Sequence, residues 1–254
     1  MRRPFIAGNW KMHKAPGEAD ALAEALKRAL ADVTSVDIAV APTFLAIPAV
    51  VARLRHSNVS VACQDVAVEA QGAFTGSVSA EMLKSAGVHY AIVGHSERRQ
   101  LCGDTDAVVG KKVQACFRAG LSPILCVGET LPEREAGDEE RVVARQLEAG
   151  LAGLSAEQVG TVTIAYEPVW AIGTGKVATP AQANDVHAFI RGWLGKYPSF
   201  VARNVRIQYG GSVKGSNAAG LLSQPEIDGA LVGGAALSVE DFVAIVKAAS
   251  PAGR

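Results

Sequence analysis

Short runs of apolar, β-prone residues recur along the chain at Phe5–Trp10, Asp37–Ala41, Val59–Cys63, His89–Val93, Leu121–Cys126, Thr161–Tyr166, Val205–Tyr209 and Asp228–Val232. They are almost wholly apolar instead of alternating with polar residues, so each predicts a strand covered on both faces. Between them, segments such as Glu18–Leu30, Ala107–Arg118, Glu140–Leu151, Ala181–Leu194 and Val239–Ala248 carry apolar residues three or four apart. That spacing predicts amphipathic helices. Strands separated by helices run parallel, and eight such units in 254 residues predict one α/β domain over residues 1–254, a closed (β/α)8 barrel. An open doubly wound sheet is the alternative. It is disfavoured because the first strand leads into Gly8-Asn9-Trp10-Lys11, which lacks a dinucleotide-binding glycine fingerprint. No Pro/Gly/Ser-rich linker divides the chain.

In such a barrel the residues just past the strand C-termini face the site, so polar residues there need a reason. The sixth strand ends in Glu167-Pro168, followed by Val169-Trp170-Ala171-Ile172-Gly173-Thr174-Gly175-Lys176, whose composition suits a lid. A carboxylate that loses water under an apolar lid becomes more basic, as removal of a carbon-bound proton requires. The fourth strand ends in Gly94-His95-Ser96-Glu97-Arg98-Arg99, which places an imidazole where a helix begins. Backbone N–H groups there depress its pKa, and a neutral imidazole can donate to a carbonyl oxygen. His13, His56, His89 and His187 read as structural. Asn9 and Lys11, at the end of the first strand, fall on the same side by alternation and are expected to point into the barrel mouth.

Gly-Gly pairs follow the seventh and eighth strands, in Tyr209-Gly210-Gly211-Ser212-Val213 and Val232-Gly233-Gly234-Ala235-Ala236. Successive N–H groups in such turns bind a phosphate dianion without side-chain charge. This suits a chain whose 25 basic and 25 acidic residues cancel. The same balance disfavours nucleic acid and anionic membranes as partners. The N-terminus fails as a signal peptide and no run is long enough to span a bilayer. Cys63, Cys102, Cys116 and Cys126 lack Cys-x-x-Cys spacing, and no two His stand at helical ligand spacing. No metal and no cofactor are therefore expected, and the chain reads as cytoplasmic and reduced. Cys126 reads as packing.

Five segments together resemble the triosephosphate isomerase family, in order and over the full length. They are Gly8-Asn9-Trp10-Lys11-Met12, Gly72-Ala73-Phe74-Thr75-Gly76, Val93-Gly94-His95-Ser96-Glu97-Arg98-Arg99, Ala165-Tyr166-Glu167-Pro168-Val169-Trp170-Ala171-Ile172-Gly173-Thr174-Gly175 and Tyr209-Gly210-Gly211-Ser212-Val213. The resemblance implies a TIM barrel that interconverts dihydroxyacetone phosphate and glyceraldehyde 3-phosphate, in glycolysis and gluconeogenesis. It implies Glu167 as base, His95 as neutral electrophile, Lys11 and Asn9 stabilising the enediolate and contacting substrate, and Glu97 in support. It further implies phosphate contacts from Gly173, Ser212, Gly233 and Gly234, and a homodimer whose Thr75 loop reaches the partner's site.

The chain departs from the family pattern at three places. Ser77 replaces a Glu that in relatives braces Arg98 near the interface, Asp104 replaces a Glu, and Val177 replaces a small polar residue. Two other readings compete: a barrel aldolase with Lys11 as Schiff-base nucleophile, and a non-catalytic binder of phosphate ligands. Glu instead of Lys on strand six argues against the first. The joint presence of Asn9, Lys11, His95 and Glu167 argues against the second.

Overall fold

The computed structural model describes residues 2–172 and 178–250. Eight parallel strands close into a barrel in sequence order: β1 (Phe5–Asn9), β2 (Asp37–Ala41), β3 (Val59–Cys63), β4 (Tyr90–Val93), β5 (Ser122–Val127), β6 (Thr163–Tyr166), β7 (Arg206–Tyr209) and β8 (Gly229–Val232). Closure comes from β1 pairing with both β2 and β8, with Ile6 opposite Ile38 on one side and Ala230 on the other. The helices among the described residues are α1 (Pro16–Ala29), α2 (Ile47–Arg53), α3 (Ala80–Ser85), α4 (Ser96–Leu101), α5 (Asp106–Ala119) and α6 (Leu131–Glu135). They continue with α7 (Glu139–Gly150), α8 (Ala156–Val159), α9 (Pro180–Trp193), α10 (Ser199–Asn204), α11 (Ala218–Leu222) and α12 (Val239–Ala249).

Two apolar layers follow from strand alternation. Inward residues are mostly small, with Ala7, Ala39, Ala41, Ala62 and Ala165 joined by Phe5, Ile92, Ile124, Cys126 and Leu231 in the barrel interior. Outward residues such as Ile6, Ile38, Val61 and Ile164 pack against the helices in the larger core. Small inward side chains let the strands close tightly and leave the mouth as the place where polar groups emerge. Long helices begin at defined caps: the Thr105 and Thr179 hydroxyls accept from Val108 and Gln182, and α5 ends at Gly120 in the left-handed conformation. Among the described residues no helix is long and apolar enough to cross a membrane.

Candidate active site

A cavity of about 800 Å³ opens at the C-terminal ends of the strands. Asn9, Lys11, His95, Glu97, Glu167, Ser212, Gly233 and Gly234 all line it, although they come from five different strand ends. Gly173, with the rest of 173–177, lies outside the described residues. Thr75 is exposed and is not among the residues that line the cavity.

Glu167 follows β6 and is only 2% exposed. Its Oε1 lies 3.0 Å from His95 Nε2, and its Oε2 accepts the Ser96 N–H at 2.9 Å. Glycines make room for it. A Cβ on Gly210 would lie 2.8 Å from Glu167 Cγ, and one on Gly128 would lie 1.7 Å from the Glu167 carbonyl oxygen. Gly210 thus leaves room for the Glu167 side chain, and Gly128 for its backbone. Cys126 is buried in the barrel interior, where burial pushes its thiol well above the usual range.

His95 caps α4, and its Nδ1 accepts the Glu97 N–H at 3.3 Å. The neutral ring then carries its proton on Nε2, the atom that faces Glu167. The sequence-based pKa directions are reversed in this arrangement. Burial alone would lower His95, but the Glu167 charge and hydrogen bond, with Glu97, hold it above the ordinary imidazole value. Burial alone would raise Glu167, but His95, the Ser96 N–H and Lys11 hold it below the ordinary carboxylate value. The physical reason is direct contact between the two groups, which sequence position does not reveal.

Lys11 reaches the cavity by a different route from strand alternation. β1 stops at Asn9, and Lys11 adopts a left-handed backbone with φ of 51°. For a non-glycine residue that conformation needs support. The Lys11 N–H donates to Asn9 Oδ1 at 3.0 Å, and its carbonyl accepts Gln64 Nε2 at 2.7 Å. Its Nζ lies 2.6 Å from Glu97 Oε1. A lysine whose Nζ is committed to a carboxylate is poorly placed to attack a carbonyl as a Schiff-base nucleophile.

The β7 and β8 turns supply neutral donors. Among the described residues, the backbone N–H groups of Ser212, Gly233 and Gly234 donate to no protein acceptor. Unpaired amides lining a polar cavity are suited to an oxyanion.

Family models and relatives agree on one kinship. The model described as Triosephosphate isomerase matches residues 4–249. The triosephosphate isomerase of Syntrophotalea carbinolica is 58% identical over 248 residues, covering 97% of this chain and 98% of that one. The chain belongs to the triosephosphate isomerase family. The enzymes of that name from Carboxydothermus hydrogenoformans and Citrifermentans bemidjiense are 55% and 54% identical, each covering 97% of this chain and 99% of its own length.

Several residues that build this family member's site carry no local sequence signal. Gln64 binds the Lys11 and Ala41 carbonyls, the latter at 2.8 Å. Glu129, fully buried, accepts from Tyr166 Oη at 3.0 Å and Trp170 Nε1 at 2.8 Å, while its carbonyl accepts the Val169 N–H at 3.1 Å. It thereby ties the first turn of the Pro168–Ile172 segment to the end of β5. Ser77 and Arg98 both line a cavity of about 310 Å³, and Arg98 Nε lies 2.9 Å from Asp65 and 3.2 Å from Asp104 of the same chain. Lys112 Nζ completes this cluster at 2.7 Å from both carboxylates. Val177 lies outside the described residues.

Proposed function

We propose that the protein interconverts dihydroxyacetone phosphate and D-glyceraldehyde 3-phosphate by proton transfer through an enediolate. The observation that carries this reading is the buried Glu167–His95 pair, opening onto a cavity that also holds Lys11 Nζ and unpaired backbone amides. Glu167 removes a proton from the carbon beside the carbonyl and returns it to the neighbouring carbon. His95 Nε2–H and Lys11 Nζ face the oxygens on which charge develops, Asn9 orients the substrate, and Glu97 holds Lys11. Ser212, Gly233 and Gly234, with Gly173 from the loop, bind the phosphate through N–H groups.

Substrate entry supplies the pKa adjustment that the free pair lacks. Burial is the largest single influence on both groups, lowering His95 and raising Glu167, and their mutual contact, joined by Glu97 at His95 and by the Ser96 N–H and Lys11 at Glu167, outweighs it. A substrate inserted between them weakens that contact. Burial then takes over, giving a neutral imidazole donor and a more basic carboxylate.

The working unit we propose is a homodimer of single barrels in a cytoplasmic setting. Met12, Phe44, Leu45, Phe74, Met82 and Leu101 are large apolar residues left exposed, and all follow β1 to β4 in consecutive sectors of the mouth. The Thr75 loop lies among them, and a second copy covering this face supports the reading that the loop reaches the partner's site. The test of the activity is a coupled assay on glyceraldehyde 3-phosphate with pure protein. Turnover is expected, and its absence would leave only the phosphate-binding reading.

A further inference from the structure

The end of the barrel remote from the proposed active site carries a second cleft. About 570 Å³ in volume, it is lined by Arg2, Arg3, Arg203, Asn204 and Arg206 and by no carboxylate. Arg2 and Arg3 precede β1, Arg203 and Asn204 close α10, and Arg206 opens β7, so the fold gathers guanidinium groups from distant segments at the strand N-termini.

The neighbouring acids do not neutralise this gathering. Asp37 is shared between Arg3 and Arg206, while Asp228 and Glu226 are each shared between Arg2 and Arg191. Arg203 is exposed and makes no hydrogen bond or ion pair among the described residues. Five guanidinium groups thus meet three carboxylates, and two positive charges remain in a chain whose total charge is zero. Donor capacity also remains. Arg206 commits only Nη1, to Asp37 at 2.6 Å, and its guanidinium sits 4.6 Å from the Phe5 ring centroid, which holds it in place. Its Nε and Nη2, and every donor of Arg203, are uncommitted.

We propose that this cleft binds a compound carrying two or more linked phosphate groups. Guanidinium forks match phosphate oxygens in pairs, and forks from separate segments are bridged by linked phosphates better than by one. The volume falls within the usual range for small-ligand sites. The site lies at the opposite end of the barrel from His95 and Glu167, so it is independent of the proton-transfer reading.

Calorimetric titration with inorganic tripolyphosphate tests it, with the barrel mouth kept saturated by glycerol 3-phosphate. Saturable binding at a single site per chain is expected, and Arg203→Glu should weaken it at least about tenfold, by replacing an uncommitted donor with a repelling charge. Lys111→Glu makes the same charge change on an exposed position of α5 and should leave binding within about twofold. ATP run in parallel separates the sources. Equal affinity assigns a nucleoside triphosphate, and binding of tripolyphosphate alone assigns an inorganic polyphosphate. Absence of saturable binding, binding that Arg203→Glu leaves untouched, or equal weakening by both variants would overturn the proposal.

Discussion

Two buried charge clusters lie on either side of the β3 and β4 strand ends, and they are built to different rules. In the first, Lys112 and Arg98 meet Asp65 and Asp104, so each cation has two acids and each acid two cations. In the second, Glu167 meets one imidazole and one backbone N–H, on the wall of an open cavity. Burial raises Asp65 above the ordinary carboxylate value even among its cations, while Glu167 is held below it by His95, a group whose own charge is conditional. Full mutual pairing marks a cluster that holds elements together. A carboxylate whose main partner can be drawn away by a ligand marks one that does chemistry.

The largest effect that separates the two is expected from Lys112→Met. It leaves Asp65 and Asp104 with Arg98 alone, and unpaired buried charge of this kind costs about 3–5 kcal/mol of folding stability. Urea unfolding at neutral pH measures it. The folded fraction should keep its isomerase kcat within about threefold, because Lys112 touches no group of the mouth. A large kcat loss without a stability loss would erase the distinction between the clusters.

Glu167→Asp should give the converse pattern. Withdrawing the carboxylate by one methylene misplaces the base by more than an ångström, worth about 10²-fold in kcat, with KM little changed. The pair also predicts a pH signature. Glu167 is depressed, so its contribution to stability is fully present above the unfolded value of 4.5 and is lost as pH falls through the folded one. His95 is raised, so its contribution is fully present below 6.5 and is lost as pH rises through its folded value. The stability difference between the native chain and His95→Gln should therefore be greatest between these two values. A flat difference from acid to alkaline pH would show that the pair does not interact.

The contrast also explains what the sequence made legible. Glu167, His95 and Asn9 sit at strand ends, where a barrel forces residues into the mouth, and β2 and β3 have the bounds expected from their apolar runs. β4 to β8 start one or two residues late. Thr161, which is exposed, and Val162 precede β6, and Asp228 precedes β8 although its N–H already donates to the Ile207 carbonyl at 2.8 Å and its carbonyl accepts the Phe5 N–H at 3.0 Å. Short helices such as α3, α4 and α10 span at most six residues, too few for periodicity to register. Alternation predicts Lys11 in the mouth, and it arrives there through a left-handed turn. Gln64 and Glu129 act on groups 53 and 41 residues away, Lys11 and Trp170, and a contact of that separation leaves no local pattern.

Gln64 and Asp65 are the joint between the two clusters, since neighbouring side chains turn to opposite duties. Asp65 serves Arg98 and Lys112, whereas Gln64 donates to the carbonyls of Lys11 and Ala41. Gln64→Glu keeps the shape and removes the donor, setting a carboxylate against two carbonyl oxygens. Lys11 then loses the bond that supports its left-handed backbone, and kcat/KM should fall by about tenfold, the order of one or two net hydrogen bonds. Gln64→Ala removes the donor without the repulsion and should fall by less. If the clusters are independent, the unfolding free energy of Lys112→Met should add to that of Gln64→Ala within about 0.5 kcal/mol. A larger coupling would mean that the structural cluster reaches the mouth through this one adjacent pair, and that the positioning of Lys11 is shared between them.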